Sequence, residues 1–482
     1  MNTPSRRRFL SRSVGAVLGG LALTAEAQEN AVTSSIGQEI RTLILRNVTV
    51  VDVTGKPSRP GMDIVIQRRQ IQALERTGSR ERHEGAVVKD LSGKYVIPGL
   101  WDMHVHSGST AEGWPPLTQF IANGVLGARV MLGTPLLRQF RDEIASGKRV
   151  GPRLMVASPV LDEPGELQFP SGWRYVTNAD QARSAVQASI EEGADFIKVY
   201  DSLSRSCYFA IADETRKLRI PFVGHPPVRL SLLECSEAGQ KSVEHVLSML
   251  KDFSKAGREW KRAAVAATRM SEIPPEPATK TVVETFDESL GDEILTAFQK
   301  NGTWICPTLT VARMFSGDPE LSRDSRLKYV SAEERRRWAK RIQSPVFAPE
   351  AVRRQRFEQH LRLIRAFSKA GAGILAGTDT PIAYCLTGFG LHDELKLLVR
   401  AGLTPAEALR ASTLGPTRFF GLSDSLGTVE PGKLAELVVL DGNPLADIGN
   451  TQAIHAVITA GRAYWPDAIG RMLTEFEATA AR

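Results

Sequence analysis

Cysteine is scarce in this sequence. Its four residues, Cys207, Cys235, Cys306 and Cys385, are too scattered for a C-x-x-C zinc site and too few among 482 residues for a disulfide framework. Long apolar runs are also missing. None approaches the roughly 18 consecutive residues of a membrane span, so no stable membrane anchor is expected. There is no low-complexity tract or internal repeat beyond a βα texture. With 42% hydrophobic and 24% charged residues, the composition excludes wholesale disorder and collagen-like structure. Charge of one sign is not in large excess either. The formal net charge is +7. Basic clusters such as Arg335-Arg336-Arg337 adjoin glutamates and read as solvated helix faces, not as a nucleic-acid footprint.

Part of that positive charge belongs to the N-terminus. Ser5-Arg6-Arg7-Arg8-Phe9-Leu10-Ser11 precedes a mildly apolar stretch, Val14 to Leu23, and then Ala25-Glu26-Ala27. A charged start, a short apolar middle and a small-x-small site make a signal peptide over residues 1–27. The Arg-Arg-x-Phe-Leu pattern resembles a twin-arginine signal, which addresses folded proteins for export. The expected partner is the twin-arginine export machinery, and the expected location is periplasmic or secreted. Removal takes four arginines and one glutamate, leaving +4 of the +7.

Past this segment the texture is β-rich from Thr42 to Leu91, punctuated by Gly55, Pro57, Pro60 and Gly61. From Tyr95 short apolar runs alternate with helical patterns. Eight strand candidates follow: 96–105, 126–131, 153–159, 195–200, 221–225, 242–246, 303–311 and 373–378. Such alternation argues for a parallel sheet, and eight βα units over this length fit a (β/α)8 barrel, which takes about 250 residues. Long segments after strands six (250–290) and seven (312–350) lie on the face where barrels build active sites. β-texture returns at 427–440 and 453–465. The predicted fold class is therefore α/β: a (β/α)8 TIM barrel over 96–421, with a small β-sandwich domain built from both chain ends, 28–95 and 422–482.

Four of the eight histidines fall at strand ends. His104 and His106 close strand one; residues i and i+2 of a strand share a face, so both imidazoles can meet one metal ion. His225 ends strand five and His245 ends strand six. Lys198 sits within the apolar strand Phe196-Ile197-Lys198-Val199, where a lysine is costly to bury without a partner. Asp379 ends strand eight. Each of these alone has an ordinary explanation: a core histidine, a snorkelling lysine, a helix cap. Together they put metal-competent groups from strands one, four, five, six and eight on one rim. His83, His360, His392 and His455 do not fit the pattern and read as structural.

This order of His-x-His, Lys, His, His and Asp on a (β/α)8 barrel resembles the amidohydrolase superfamily, in its two-metal branch. The text around it is similar to that family too: Ile97-Pro98-Gly99-Leu100-Trp101-Asp102-Met103-His104-Val105-His106, then Val243-Glu244-His245, then Ala376-Gly377-Thr378-Asp379. The run Gly427 to Leu445 looks like the family's closing β-module, with Glu436 where Asp is more usual. Imidazolonepropionase-like and Xaa-Pro dipeptidase-like members are the most similar. Strand two, Gly127-Ala128-Arg129-Val130-Met131, departs from the usual Thr-Thr-Val-Arg-Asp-like run and receives no role.

The resemblance implies a cofactor of two divalent metal ions, zinc being the first choice, with Lys198 carbamylated by carbon dioxide and bridging them. His104, His106 and Asp379 would hold one ion, His225 and His245 the other. A metal-bridging hydroxide would attack an amide of peptide or N-acyl amino acid type, with Asp379 as the catalytic proton shuttle; were Asp379 dispensable, His392 would be the first alternative proton carrier to test. Lactams, lactones and esters remain alternative substrates. A deaminase is disfavoured, because Pro226-Pro227-Val228 lacks a glutamate three residues after His225. A cyclic imidase is disfavoured by Leu203, five residues after the lysine, where a tyrosine is usual. A non-catalytic binding protein is disfavoured because all six ligand positions are filled. For substrate contacts, Tyr200 shares the face of Lys198, and Trp173 and Arg174 follow strand three. Trp260, Arg262, Arg269 and Arg313 lie in or beside the long segments.

Overall fold

Eight short strands form a parallel sheet in the order of the chain: Leu100–Val105, Val125–Val130, Arg153–Asp162, Phe196–Val199, Phe222–Gly224, Ser242–Glu244, Trp304–Cys306 and Gly373–Ile374. Registers such as Val199↔Gly224 and Glu244↔Cys306 align their C-terminal ends on one rim. The cylinder closes between the last strand and the first. Met103 N–H donates to the Ala376 carbonyl (2.8 Å), and Asp379 N–H donates to that of His104 (2.7 Å). This computed structural model describes residues 37–78, 85–106, 117–164, 171–267, 270–342 and 348–481. The expected signal segment, His83 and Arg269 lie outside them.

Helices return each strand to the next, and their starts are written locally. Thr134, Asn178 and Ser204 cap the helices Pro135–Ala145, Ala179–Glu191 and Arg205–Leu218 by accepting a backbone N–H. Ser231 and Glu234 form a capping box on Leu232–Glu237. Most helices bury their apolar faces in one large cluster with the outer sides of the strands, while Ala179–Glu191 and Arg205–Leu218 pack on Ile197, Val199 and Phe222. A second cluster joins Trp101, Met103, Met131, Ala157, Phe196, Val223, Cys306 and Leu375 with Phe419. Six of these residues lie in five of the strands, and Met131 and Leu375 directly follow two more, so the cluster fills the barrel interior and floors the site above.

The β-domain is a nine-stranded mixed sheet from both chain ends, curled around its own apolar core. Its strands Tyr95–Pro98 and Leu437–Leu440 pair antiparallel and sit at the barrel's entry and exit. The expectation of one strand over 96–105 is corrected here. The chain passes from sheet to barrel at Gly99, where an added Cβ would lie 2.6 Å from Leu126. The expected strand 303–311 is corrected as well. It stops at Cys306, and Leu309–Ser316 is a helix whose first N–H groups are taken by the buried Glu394 carboxylate (2.9 and 2.8 Å). The strand expected over 373–378 is regular only at Gly373–Ile374. Beyond Trp465 a further helix, Pro466–Ala480, packs Ala468, Ile469, Met472 and Phe476 into the barrel's outer cluster. None of the helices among the described residues is long and apolar enough to cross a membrane.

Candidate active site

Strand one carries a register shift between Asp102 and Val105 and ends at the rim with two imidazoles. His104 Nε2 lies 3.2 Å from His106 Nε2, and both approach Asp379 Oδ1, at 3.2 and 3.0 Å. These three residues could hold one metal ion. The His245 ring lies 4.5 Å from that of His104, and the His225 ring 4.7 Å from that of His245. The four strand-end histidines therefore form one contiguous group. At Gly224, before His225, φ is +139° and any Cβ would run into the Val199 carbonyl, so strand five closes tightly on strand four.

Three of the four imidazoles are anchored through Nδ1. His104 Nδ1 bonds Glu244 Oε2 (2.8 Å), His225 Nδ1 bonds Asp201 Oδ1 (3.0 Å) and His245 Nδ1 bonds Thr308 Oγ1 (2.8 Å). Such a partner fixes the tautomer that keeps Nε2 available as a ligand, the usual arrangement behind metal-bound histidine. Burial pushes His104 and His245 below the ordinary histidine range, so both are neutral, the form a metal needs.

Lys198 is 1% exposed, and its Nζ has no hydrogen-bond partner among the described residues. Burial lowers its pKa to about 8, against the pull of Glu244. An unpartnered amine whose pKa is lowered toward neutrality keeps a share of its population unprotonated, the form that adds carbon dioxide. Asp379 behaves oppositely. Burial would raise its carboxyl, but His245, His104 and His106 outweigh it and hold it well below the usual range.

Below the rim lies a layer to which the sequence reading gave no role. Arg129, fully buried on strand two, donates to Glu244 (2.7 and 2.9 Å), to Ser242 Oγ (2.8 Å) and to the Met103 carbonyl (2.5 Å). Arg129, and then His104, keep Glu244 ionised although burial opposes it. Asp102 accepts from Thr378 N–H and Oγ1 (3.0 and 2.6 Å), tying strand one to strand eight, and burial raises it to about 7. The signal for Arg129 was in the sequence: one charged residue in an apolar strand, the same feature that singled out Lys198.

Backbone strain concentrates here too. His245, Thr308 and Asp379 have φ of +61°, +46° and +65°. Non-glycine residues rarely adopt such angles, least of all a β-branched threonine. Strain of this kind persists where the surroundings over-determine it, most often at functional sites.

Tyr200 and Trp173 wall the site. The Tyr200 ring lies 4.1 Å from that of His225, and Trp173 meets Tyr200 edge-on at 4.6 Å. The other substrate candidates are engaged elsewhere. Arg174 bonds Glu192 (2.5 Å) and Ser189, Trp260 donates to the Pro274 carbonyl, and Arg313 pairs with Asp318 (2.6 Å). Arg262 lines a cleft with Asp252 and Lys261, apart from the histidines. His392 is corrected as an alternative proton carrier. It is buried with both ring nitrogens bonded, to Thr451 Oγ1 and the Asn123 carbonyl, away from the site.

Known proteins can now be set beside this geometry. The Amidohydrolase family model matches residues 95–464. A bottromycin amidohydrolase superposes with a TM-score of 0.71 at 23% identity, covering 91% of each chain. A putative prolidase from Bifidobacterium longum gives 0.65 at 24%, covering 91% of this chain and 99% of that one. An ochratoxinase of Aspergillus niger is 24% identical over 419 residues, 75% of this chain and 73% of that protein. An adenine deaminase 2 of Agrobacterium fabrum is 41% identical over 90 residues, which span only 14% of its length.

Proposed function

The chain belongs to the amidohydrolase family and is a hydrolase acting on carbon–nitrogen bonds; from that premise we propose that it is a metal-dependent enzyme cleaving peptide or N-acyl amino acid amides. The observation that carries this reading is the set of four histidines, three of them held through Nδ1 so that Nε2 stays available, around an unpartnered lysine and an ionised aspartate. The donor set fits two divalent ions. His104, His106 and Asp379 would hold one, His225 and His245 the other, and Lys198 would bridge them. Zinc suits these nitrogen and oxygen donors, which also accept manganese or cobalt. When bound, such ions lower the pKa of water toward about 7 and polarise the scissile carbonyl.

The protein's own residues supply the rest. The neutral Nζ of Lys198 attacks carbon dioxide, forms an N–C bond and releases a proton, giving an anionic carbamate. Asp379 takes the proton of the attacking water and delivers it to the leaving nitrogen. It is a carboxylate at neutral pH, the form that accepts a proton. Thr308, Glu244 and Asp201 keep the imidazoles from turning. Tyr200 and Trp173 offer an aromatic surface to the side chain of the substrate. Support for the amide class comes from the bottromycin amidohydrolase, prolidase and ochratoxinase names among similar proteins. The export reading rests on residues 5–27 and completes the proposal: a periplasmic or secreted enzyme that meets peptides or scavenged amides.

The test is a hydrolysis screen of metal-reconstituted protein on dipeptides and N-acyl amino acids, with lactones and esters alongside. Metal-dependent release of free amine, faster than lactone or ester opening, is expected. Absence of amine release from every acylated amino acid, with metals bound, would overturn the amide reading.

A further inference from the structure

A second polar cavity shares no residue with the centre described above. The helix Glu350–Lys369 places Arg353, Arg356, Phe357 and His360 at i, i+3, i+4 and i+7, the spacing of one helix face. That face borders a cavity of about 60 Å3, which is also lined by Leu247 and Ser316. By volume it has room for a few waters or one small anion.

Its charged groups are both cationic, and among the described residues no carboxylate lines it. His360 is 1% exposed, and neither of its ring nitrogens has a partner among the described residues. Arg353 Nε is buried and likewise unpartnered. Arg356 donates only to the Leu247 carbonyl, at 3.2 Å. Neither arginine forms an ion pair among the described residues. The Glu276 carboxylate attracts Arg356 from a distance, and it is bound to Lys251 at 2.5 Å. Buried donors left unmade are costly, and each such group calls for a water or ion that satisfies it. Two guanidinium groups also bring positive charge that water does not neutralise.

We propose that this cavity is a binding site for a small carboxylate, held by Arg353 and Arg356 and capped by a His360 N–H. The planar guanidinium fork matches a carboxylate, and charge-assisted bonds of this kind are about twice as strong as neutral ones. The site abuts Leu247, two residues beyond His245, and Ser316, at the end of the helix that follows Thr308. Occupancy would therefore stiffen the wall behind the active site.

Acetate binding to the metal-loaded protein, followed by titration calorimetry at fixed ionic strength, tests this. Wild type should show a saturable event. The Arg353→Met/Arg356→Met double variant and, separately, the His360→Leu variant should weaken it about tenfold or more while metal content stays unchanged. His360→Leu keeps the apolar packing and so guards against a variant that simply misfolds. A parallel titration with inorganic phosphate separates a carboxylate site from a general anion site; tighter phosphate than acetate binding would overturn the assignment. Equal acetate affinity in wild type and both variants would place that binding at the metals and refute the proposal. So would the absence of saturation, or acetate-soaked crystals with only water in the cavity.

Discussion

Replacing Glu244 by glutamine removes the one negative charge that faces Arg129 while preserving size. The pair is fully buried, with Arg129 Nη2 at 2.7 and 2.9 Å from the two carboxylate oxygens. Unit charges about 4 Å apart attract by about 4 kcal/mol at an effective dielectric of about 20. Leaving one member of a buried pair uncompensated costs about 3–5 kcal/mol. Glu244→Gln should therefore destabilise the fold by that amount, read as a fall in the urea midpoint at an unchanged slope. Arg129→Met/Glu244→Gln should recover most of the loss, because no unpaired charge remains. Arg129→Met/Glu244→Leu should recover stability too, yet it deprives His104 Nδ1 of its acceptor. Losing such a partner typically costs about 10–100-fold in metal affinity, measurable by chelator competition. The two double variants thus separate charge balance from imidazole orientation. If the Met/Leu pair binds metal as tightly as wild type, Glu244 does not orient His104 and the reasoning fails.

Five other perturbations have expected outcomes. Lys198→Ala should lose most bound metal and nearly all activity, with partial return in added propionate; metal analysis showing two ions and normal turnover would remove the bridge. With its pKa near 8, Lys198 in the metal-free protein should add 13C-labelled carbon dioxide, at fixed dissolved concentration, at an initial rate that rises about tenfold per pH unit below about 8 and levels off above it; the same depression means the unfolded chain holds a proton the folded chain has released, so metal-free stability should rise between pH about 8 and the ordinary lysine value. Asp379→Asn should lower kcat per occupied site by about 10²–10⁴-fold, and a value within a few-fold of wild type would assign the proton to another group. Thr308→Gly relieves the +46° φ but removes the His245 partner, so thermal stability should hold while metal affinity drops; unchanged affinity would count against an orienting role. Arg6→Lys/Arg7→Lys should block export by a route that carries folded protein, and secretion of that variant through a route requiring unfolded chains would exclude the twin-arginine reading.

What the sequence made legible was local in origin. His104 and His106 share a face because strand periodicity is two, and Lys198 stood out because its neighbours are apolar. The barrel followed from the alternation of such runs. The anchoring partners were not legible, because they depend on which strand lies beside which. Glu244 meets Arg129 across 115 residues of sequence, and Thr308 meets His245 across 63. Thr308-Leu309-Thr310-Val311 reads as strand by composition, but Glu394 caps its N–H groups and makes it helix; tertiary context overrides β-propensity here. The helix Pro466–Ala480 did have a local signal, proline at its first turn, which the β-texture before it obscured.

The pairing of Tyr95–Pro98 with Leu437–Leu440 sets an order of events during synthesis. The two strands are neighbours in space but more than three hundred residues apart in the chain. At roughly 5–20 residues per second, the ribosome delivers the second strand about 15–70 s after the first. Until then the strands of the N-terminal segment lack their C-terminal partners, and exposed strand edges invite pairing with other chains. In the barrel, by contrast, most strands pair with the next strand in the chain, and only its closure joins the first to the last. The N-terminal strands of the β-domain are thus made well before their partners, and in that interval their open edges are what the nascent chain has to keep from its neighbours.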